Sequence, residues 1–275
     1  MTITFRALTT TQDLEQLPKI ESTVWAGEAP IPLQLTLTFA KFGGIFLGAF
    51  DDDTMIGFLY SFPGYTDGQP HLCSHMMGFL PEYRKQGLGV QMKWLQLDEA
   101  IRRQHSKITW TYDPLESVNG FLNIAKLGGV VRTYLPNCYG EMNDVFNRGL
   151  PTDRFLVEWF IDSERVKSYR EGVPYTCDTA GAPSLLHYKL VGDLPHPTGI
   201  VDSEQEPVLL IPVPAHFQKV KQADFGAATA WREMTSEVFQ ARIAQGYIVT
   251  NLLRDSDVVH YVLEKQPLAT VLERR

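Results

Sequence analysis

Apolar and polar positions alternate from the start of the chain. Ile3-Thr4-Phe5-Arg6-Ala7-Leu8 has the two-residue period of a strand with one covered face, and Thr9-Thr10-Thr11 follows with hydroxyls suited to a helix cap. Leu14, Leu17, Val24 and Trp25 predict a helix about which Pro18 is a reservation; two prolines and a glycine then place residues 26–32 in a loop, and residues 33–41 predict a second short helix. Gly44-Ile45-Phe46-Leu47-Gly48-Ala49-Phe50 and Met55-Ile56-Gly57-Phe58-Leu59-Tyr60 flank Asp51-Asp52-Asp53-Thr54, which is a hairpin signal. The aspartates read as a solvated turn, since a calcium loop needs further oxygen ligands at regular spacing and none follow.

Residues 71–79 predict the next strand. After a glycine turn, Val90, Trp94, Leu97 and Ile101 recur at helical spacing. Residues 107–112 are aromatic and β-branched, as strands are, and a helix carrying Phe121, Leu122 and Ile124 ends at Leu127-Gly128-Gly129. Strands over 130–134 and 155–161 follow. Beyond residue 162 the pattern weakens: prolines between 174 and 207 predict an irregular connection, with one possible strand at 185–190. Residues 208–211 predict a buried strand; Trp231, Met234, Val238 and Ala241 mark one face of a helix ending near Gly246. A hairpin over 247–253 and 258–263 turns at Arg254-Asp255-Ser256-Asp257. This helix-glycine-strand-strand order echoes residues 119–161, as a partial repeat or, with negligible identity between the two, as convergent packing. The expectation is an α/β chain with a mixed sheet: a first domain over 1–162, a connection over 163–207, and a smaller α+β region over 208–275.

The chemistry concentrates where residues 71–79 hand over to the helix. Arg84-Lys85-Gln86-Gly87-Leu88-Gly89-Val90 puts two glycines at a strand-to-helix turn, where a backbone can approach a ligand and the first N–H groups of a helix attract an anion such as phosphate. Arg84 and Lys85 are basic in a chain whose formal charge is -7. The acidic balance, without basic clusters, argues against a nucleic-acid partner. No apolar run approaches the ~20 residues that span a bilayer, and residues 1–6 lack a signal-peptide layout, so a cytoplasmic location is expected. Cys73, Cys138 and Cys177 have no paired spacing, so neither a disulfide framework nor a zinc site is expected.

Arg84-Lys85-Gln86-Gly87-Leu88-Gly89 resembles the R/Q-x-x-G-x-G/A signature of the GNAT acyltransferases, and Phe79-Leu80-Pro81-Glu82-Tyr83 resembles their V-x-P-x-Y/F lead-in. The element order over residues 1–162 is similar to theirs, and the whole layout resembles a bacterial group of predicted acetyltransferases with an extended C-terminal half. The resemblance implies direct transfer of an acyl group, acetyl by default, from acyl-CoA to a small amine or amino acid, with no metal. It implies pantetheine along Met77 to Phe79, the diphosphate on Arg84, Lys85, Gln86, Gly87, Leu88, Gly89 and Val90, and a bulge within two residues of Phe79 that frees an N–H for the thioester carbonyl. Asn119 contacts the pantetheine arm or caps its helix. A non-catalytic acyl-CoA-binding protein is the alternative.

For the base, the resemblance singles out His75, whose ordinary pKa of ~6.5 suits proton removal near neutrality, or Glu28 in the acceptor loop; His71 ranks behind them. His71 and His75 would lie about 13 Å apart on one strand, too far to share a metal. The family's thiolate acid is a tyrosine at the position of Ile124 here, so Tyr134 or Tyr112 stands in, or no protein acid acts. Farther along, Arg232 reads either as a carboxylate ligand or as a surface ion pair.

Overall fold

The structure is a computed structural model that describes residues 3–24, 30–66, 68–84, 86–142, 144, 146–201 and 206–274. Trp25, Glu28 and Lys85 lie outside the described residues. The chain divides into two compact units, Met1–Trp110 and Thr111–Arg275.

In the first unit, strands β1 (Ile3–Ala7), β2 (Ile45–Asp51), β3 (Thr54–Thr66), β4 (Gln69–Phe79) and β5 (Lys107–Tyr112) pair in sequence order. The first four are antiparallel; β4 and β5 are parallel and in register only at Leu72↔Ile108 and Cys73↔Thr109. The single helix expected around Pro18 is two: α1 (Thr11–Leu14), closed by a reciprocal cap between Thr10 and Asp13, and α2 (Leu17–Val24), which takes Pro18 in its first turn, where no intrahelical N–H is needed. With α3 (Leu33–Lys41), these helices bury Leu14, Leu17 and Ile20 against Phe46, Phe58 and Tyr60 of the sheet. The 15-residue helix α4 (Leu88–Arg102) follows the glycine turn. Its buried face is Leu88, Met92, Lys93, Gln96, Leu97 and Ala100, whereas Ile101, expected on that face, is exposed.

The second unit holds α5 (Ser117–Gly120), continued by a wider π turn over Phe121–Lys126, and a five-strand antiparallel sheet. Its strands are β6 (Val130–Leu135), β7 (Arg154–Phe160), β10 (Val208–Pro214), β11 (Ile248–Arg254) and β12 (Val258–Glu264), in the order β7-β6-β11-β12-β10. The two helix-glycine-strand-strand segments therefore meet through their first strands, β6 and β11. Elements on either side of residue 162 share this sheet. The expected irregular connection contains α6 (Glu164–Arg170) and a separate hairpin of β8 (Leu186–Val191) and β9 (Leu194–Ile200). Pro195 and Pro197 fit there because a two-stranded hairpin consists of edge strands; Pro212 and Pro214 fit β10 for the same reason, at the sheet's end.

Helices α7 (Phe217–Ala223) and α8 (Phe225–Ala244), with the short α9 (Leu268–Leu272), complete the unit. Phe155, Phe239 and Tyr261 pack edge-to-face at centroid separations of 4.7–5.5 Å. Two buried arginines cross-brace these layers. Arg165 donates from Nε to the Gly128 carbonyl at 2.9 Å and from Nη2 to the Thr250 carbonyl, tying α6 to the turn before β6 and to β11. Arg232 of α8 donates from Nη2 to Asp113. Deleting one member of a buried ion pair of this kind costs roughly 3–5 kcal/mol. No helix among the described residues is long and apolar enough to cross a membrane.

The tightest backbone approach in the first unit is at Gly44, where an added Cβ would lie 2.7 Å from the Phe39 carbonyl oxygen and 2.9 Å from that of Ser61. Both obstacles are backbone, so Gly44→Ala is expected to lower unfolding free energy by about 1–3 kcal/mol in urea titration; an unchanged midpoint would mean that the α3–β2 connection yields freely.

Candidate functional site

The site starts from the shortness of the β4–β5 pairing. Two residues after Leu72 the register stops, so the β4 edge facing β5 has no ladder partner over residues 74–79 among those described. Its opposite edge stays paired with β3 up to Gly57↔Phe79. The expected bulge near Phe79 lies instead at His75: Tyr60 faces Met76 and Ser61 faces Ser74, which leaves His75 as the extra residue. The reason is local crowding, since Phe79 is held in register over Gly57, where a Cβ would meet its ring at 2.3 Å.

The turn into α4 is anchored at several points. Pro81–Tyr83 forms one 3₁₀ turn, the Tyr83 hydroxyl donates to Asp51 at 2.7 Å, and Arg84 Nε donates to the Phe79 carbonyl at 2.9 Å. Gln86 Nε2 donates to the Glu82 carbonyl at 3.1 Å. Gly87 then takes φ of 78°, a left-handed conformation that disfavours any side chain, and stands at the helix start without a side-chain cap. The first N–H groups of α4 are left to an external acceptor, and nothing lies within 4 Å of where a Gly87 Cβ would be. An uncapped helix start beside an open strand edge fits a ligand with a phosphate group and an extended arm.

His75 is exposed, yet its ring packs against Tyr60 and Phe62 at centroid distances of 5.6 and 5.8 Å, and this partial burial holds its pKa below the ordinary imidazole value. It is therefore neutral, and able to take a proton, at pH 7. His71 is buried with its ring over Gly64 of β3. Met77, Phe79, Arg84 and residues 86–90 follow one another along the β4 end, the turn and the start of α4.

Asn119 and Tyr134 belong to the second unit. Asn119 is the third residue of α5, whose N-terminal flank is Glu116, so it does not cap that helix; its side chain is exposed. Tyr134 is 8% exposed and donates its hydroxyl to Asp153 at 2.6 Å. Burial first, and then the Asp153 charge, push its pKa far up, so it holds its proton tightly. Tyr112 is equally buried and donates to Tyr261. Ile124 is fully buried.

Two ionisable residues beside the β4 end escaped the sequence pattern. Glu21 is 3% exposed on α2; its Oε2 accepts the Ile31 N–H at 2.9 Å, and its Oε1 is a buried atom without a hydrogen-bond partner. Burial raises its pKa, opposed by the Ile31 N–H and the Tyr60 hydroxyl. The signal in the sequence was a carboxylate at an apolar-face position, within the spacing Leu17, Ile20, Glu21, Val24. Lys93 is 3% exposed: its Nζ donates to Gln96 Oε1 at 2.8 Å and to Ser74 Oγ at 3.3 Å, and sits 3.5 Å from the Trp110 ring centre. Burial pulls its pKa well below the lysine value. Lys93 thus props β4 at the residue where β4 and β5 part.

A parted strand pair running into a glycine-turned helix start is an arrangement that can hold a ligand with a phosphate group and an extended arm. Residues 11–122 match the model of the Acetyltransferase (GNAT) family. Among solved structures, an acetyltransferase of the GNAT family from Streptococcus pneumoniae is 14% identical, with 57% of this chain and 98% of that chain covered and a TM-score of 0.47. The ribosomal-protein-S18-alanine N-acetyltransferase from Escherichia coli is 17% identical (58% and 94% covered, TM-score 0.47), and Arabidopsis thaliana NAA60 in complex with acetyl-CoA is 16% identical (58% and 99% covered, TM-score 0.47). Likenesses this distant carry no inference about substrate. No curated protein matches the chain in sequence.

The raised pKa of Glu21 has a definite sign in stability. The unfolded chain releases this proton near pH ~4.3 while the folded chain still holds it, so folding loses stability as pH climbs from there through the folded pKa. Glu21→Gln cannot ionise, and its melting temperature is expected to rise relative to the parent protein between about pH 4 and pH 7. A difference in Tm that stays constant with pH would show that Glu21 ionises as an ordinary carboxylate.

Proposed function

We propose that the protein is a cytoplasmic N-acyltransferase that moves an acyl group, acetyl by default, from acyl-CoA directly to a small amine or amino acid. The observation that carries this reading is the uncapped Gly87 helix start next to the open β4 edge. The N–H groups at residues 87–89 and the exposed Arg84 bind the diphosphate, with Val90, whose N–H returns to the Gly87 carbonyl, closing the turn; Lys85, outside the described residues, belongs to the same segment. The β4 edge over residues 76–79 pairs with the amides of the pantetheine arm, and one of its N–H groups polarises the thioester carbonyl.

His75 removes a proton from the acceptor ammonium, with Glu21 as the second candidate and Glu28, outside the described residues, as a third. The free amine attacks, the C–N bond forms and the C–S bond breaks, and the proton shed by the newly acylated nitrogen passes through water to the leaving thiolate. Water suffices because a thiolate is a tolerable leaving group, and because the Tyr134 proton is held by Asp153. A binding protein without turnover is the second reading, favoured by Ile124 at the position where the family's acid stands.

Acetyl-CoA, succinyl-CoA and free CoA are each expected to raise the melting temperature; a ligand at a hundred times Kd adds ~2.7 kcal/mol. Gly87→Glu should abolish the rise by placing a carboxylate among the phosphate-binding N–H groups. No shift with any of the three would remove the acyl-CoA reading. In a steady-state assay against a panel of amines, His75→Ala is expected to lower kcat by about a hundredfold or more with acetyl-CoA binding intact. An unchanged kcat would move the base to Glu21.

A further inference from the structure

The second unit contains a hollow of 540 Å³ between α8 and the loops that follow β6 and precede β7. That is the size of a small-molecule site. Its floor is Arg232, 3% exposed, and its Nε and Nη1 have no hydrogen-bond partner; only Nη2 is engaged, by Asp113. A buried guanidinium with two unmet donors is costly to keep, and an incoming acceptor would relieve it. Its carboxylate neighbours are already committed. Asp113 accepts from Arg232 and the Leu115 N–H, and Asp153 accepts from the Tyr134 hydroxyl and the Asn137 N–H.

The rim has the opposite character. Glu233, Ser236, Glu237 and Gln240 line it from one face of α8 at helical spacing, and both glutamates are exposed without an ion pair among the described residues. A bare phosphate or dianion would be attracted by the floor and repelled by the rim. A cation alone would leave Arg232 unmet. The complementary ligand carries one carboxylate and one ammonium group.

We propose that this hollow is a binding site for a small α-amino acid, its carboxylate on Arg232 and its ammonium on Glu233 and Glu237. Reaching the Arg232 donors takes a side-chain adjustment at the floor, since neither nitrogen is exposed; meeting them is what makes the adjustment favourable. Serine, glutamine or a bulkier side chain would extend over Ser236 and Gln240. This site is independent of the acyl-CoA reading.

The test is isothermal titration of the full chain, without acyl-CoA, against each of the proteinogenic amino acids. At least one is expected to bind saturably, with its carboxamide and its N-acetyl derivative each about tenfold weaker or worse, the loss of one charge-assisted contact. Arg232→Gln removes the floor but also breaks the Asp113 pair, so the surface double variant Glu233→Gln/Glu237→Gln carries the decision. It should weaken the amino acid about tenfold or more and leave its N-acetyl derivative unchanged. Absence of saturable binding by any amino acid overturns the proposal, as does binding that the double variant does not weaken. A thermal shift with acetyl-CoA on the same preparation reads the other site, so either reading can fail alone.

Discussion

The parting of β4 from β5 is the constraint from which the rest of the first unit follows. A parallel pair in register for only two residues leaves one strand edge without a ladder partner over residues 74–79 among those described. Buried backbone groups are nearly always paired, so an open edge of this kind can take up one more extended segment. The surroundings hold it open. Lys93, against the Trp110 ring and bonded to Ser74, props β4 at the residue just past the last paired one. At the far end Arg84 closes on the Phe79 carbonyl, and Tyr83 ties the turn to Asp51 at the end of β2.

Buried ionisable groups recur in both units, and they do different things. Arg165 spends Nε and Nη2 on carbonyls and on the Tyr169 hydroxyl, which makes it a brace, although its Nη1 has no hydrogen-bond partner. Glu21 keeps one buried polar atom unmet, Oε1, and Arg232 keeps two, Nε and Nη1. An unmet buried group lowers stability, and such groups gather where binding or catalysis compensates for the loss. The first lies beside the bulged end of β4; the second floors a hollow framed by α8.

The second unit also shows how short-range signals can be reused. Gly128 and Gly246 both adopt positive φ, 73° and 88°, just before the strands β6 and β11 that pair with each other. Each glycine ends a helix and turns the chain into a strand, and the two resulting hairpins share an edge. Local helix-ending chemistry produces the same handover twice without sequence identity between the segments.

Local periodicity and turn chemistry determined, from the sequence alone, the succession of strands in the first unit, the β2–β3 hairpin, the glycine turn at 84–90 and the β11–β12 hairpin. These features rest on residues within a few positions of one another: alternation sets a strand, and glycine with acidic or proline neighbours sets a turn. Only the tertiary structure decided the rest. The bulge falls at His75 and not near Phe79 because Gly57, from the neighbouring strand, clasps the Phe79 ring. Lys93, Gln96 and Glu21 are polar by type and drew no reading from the sequence, and Arg232 stood between a carboxylate ligand and a surface ion pair; all four are buried because strands and helices distant in sequence pack over them, which no window along the chain contains. The possible strand at 185–190 is β8, but its partner β9 carries Pro195 and Pro197 and was not read, because proline argues against strands in general and is tolerated in those that end up at an edge.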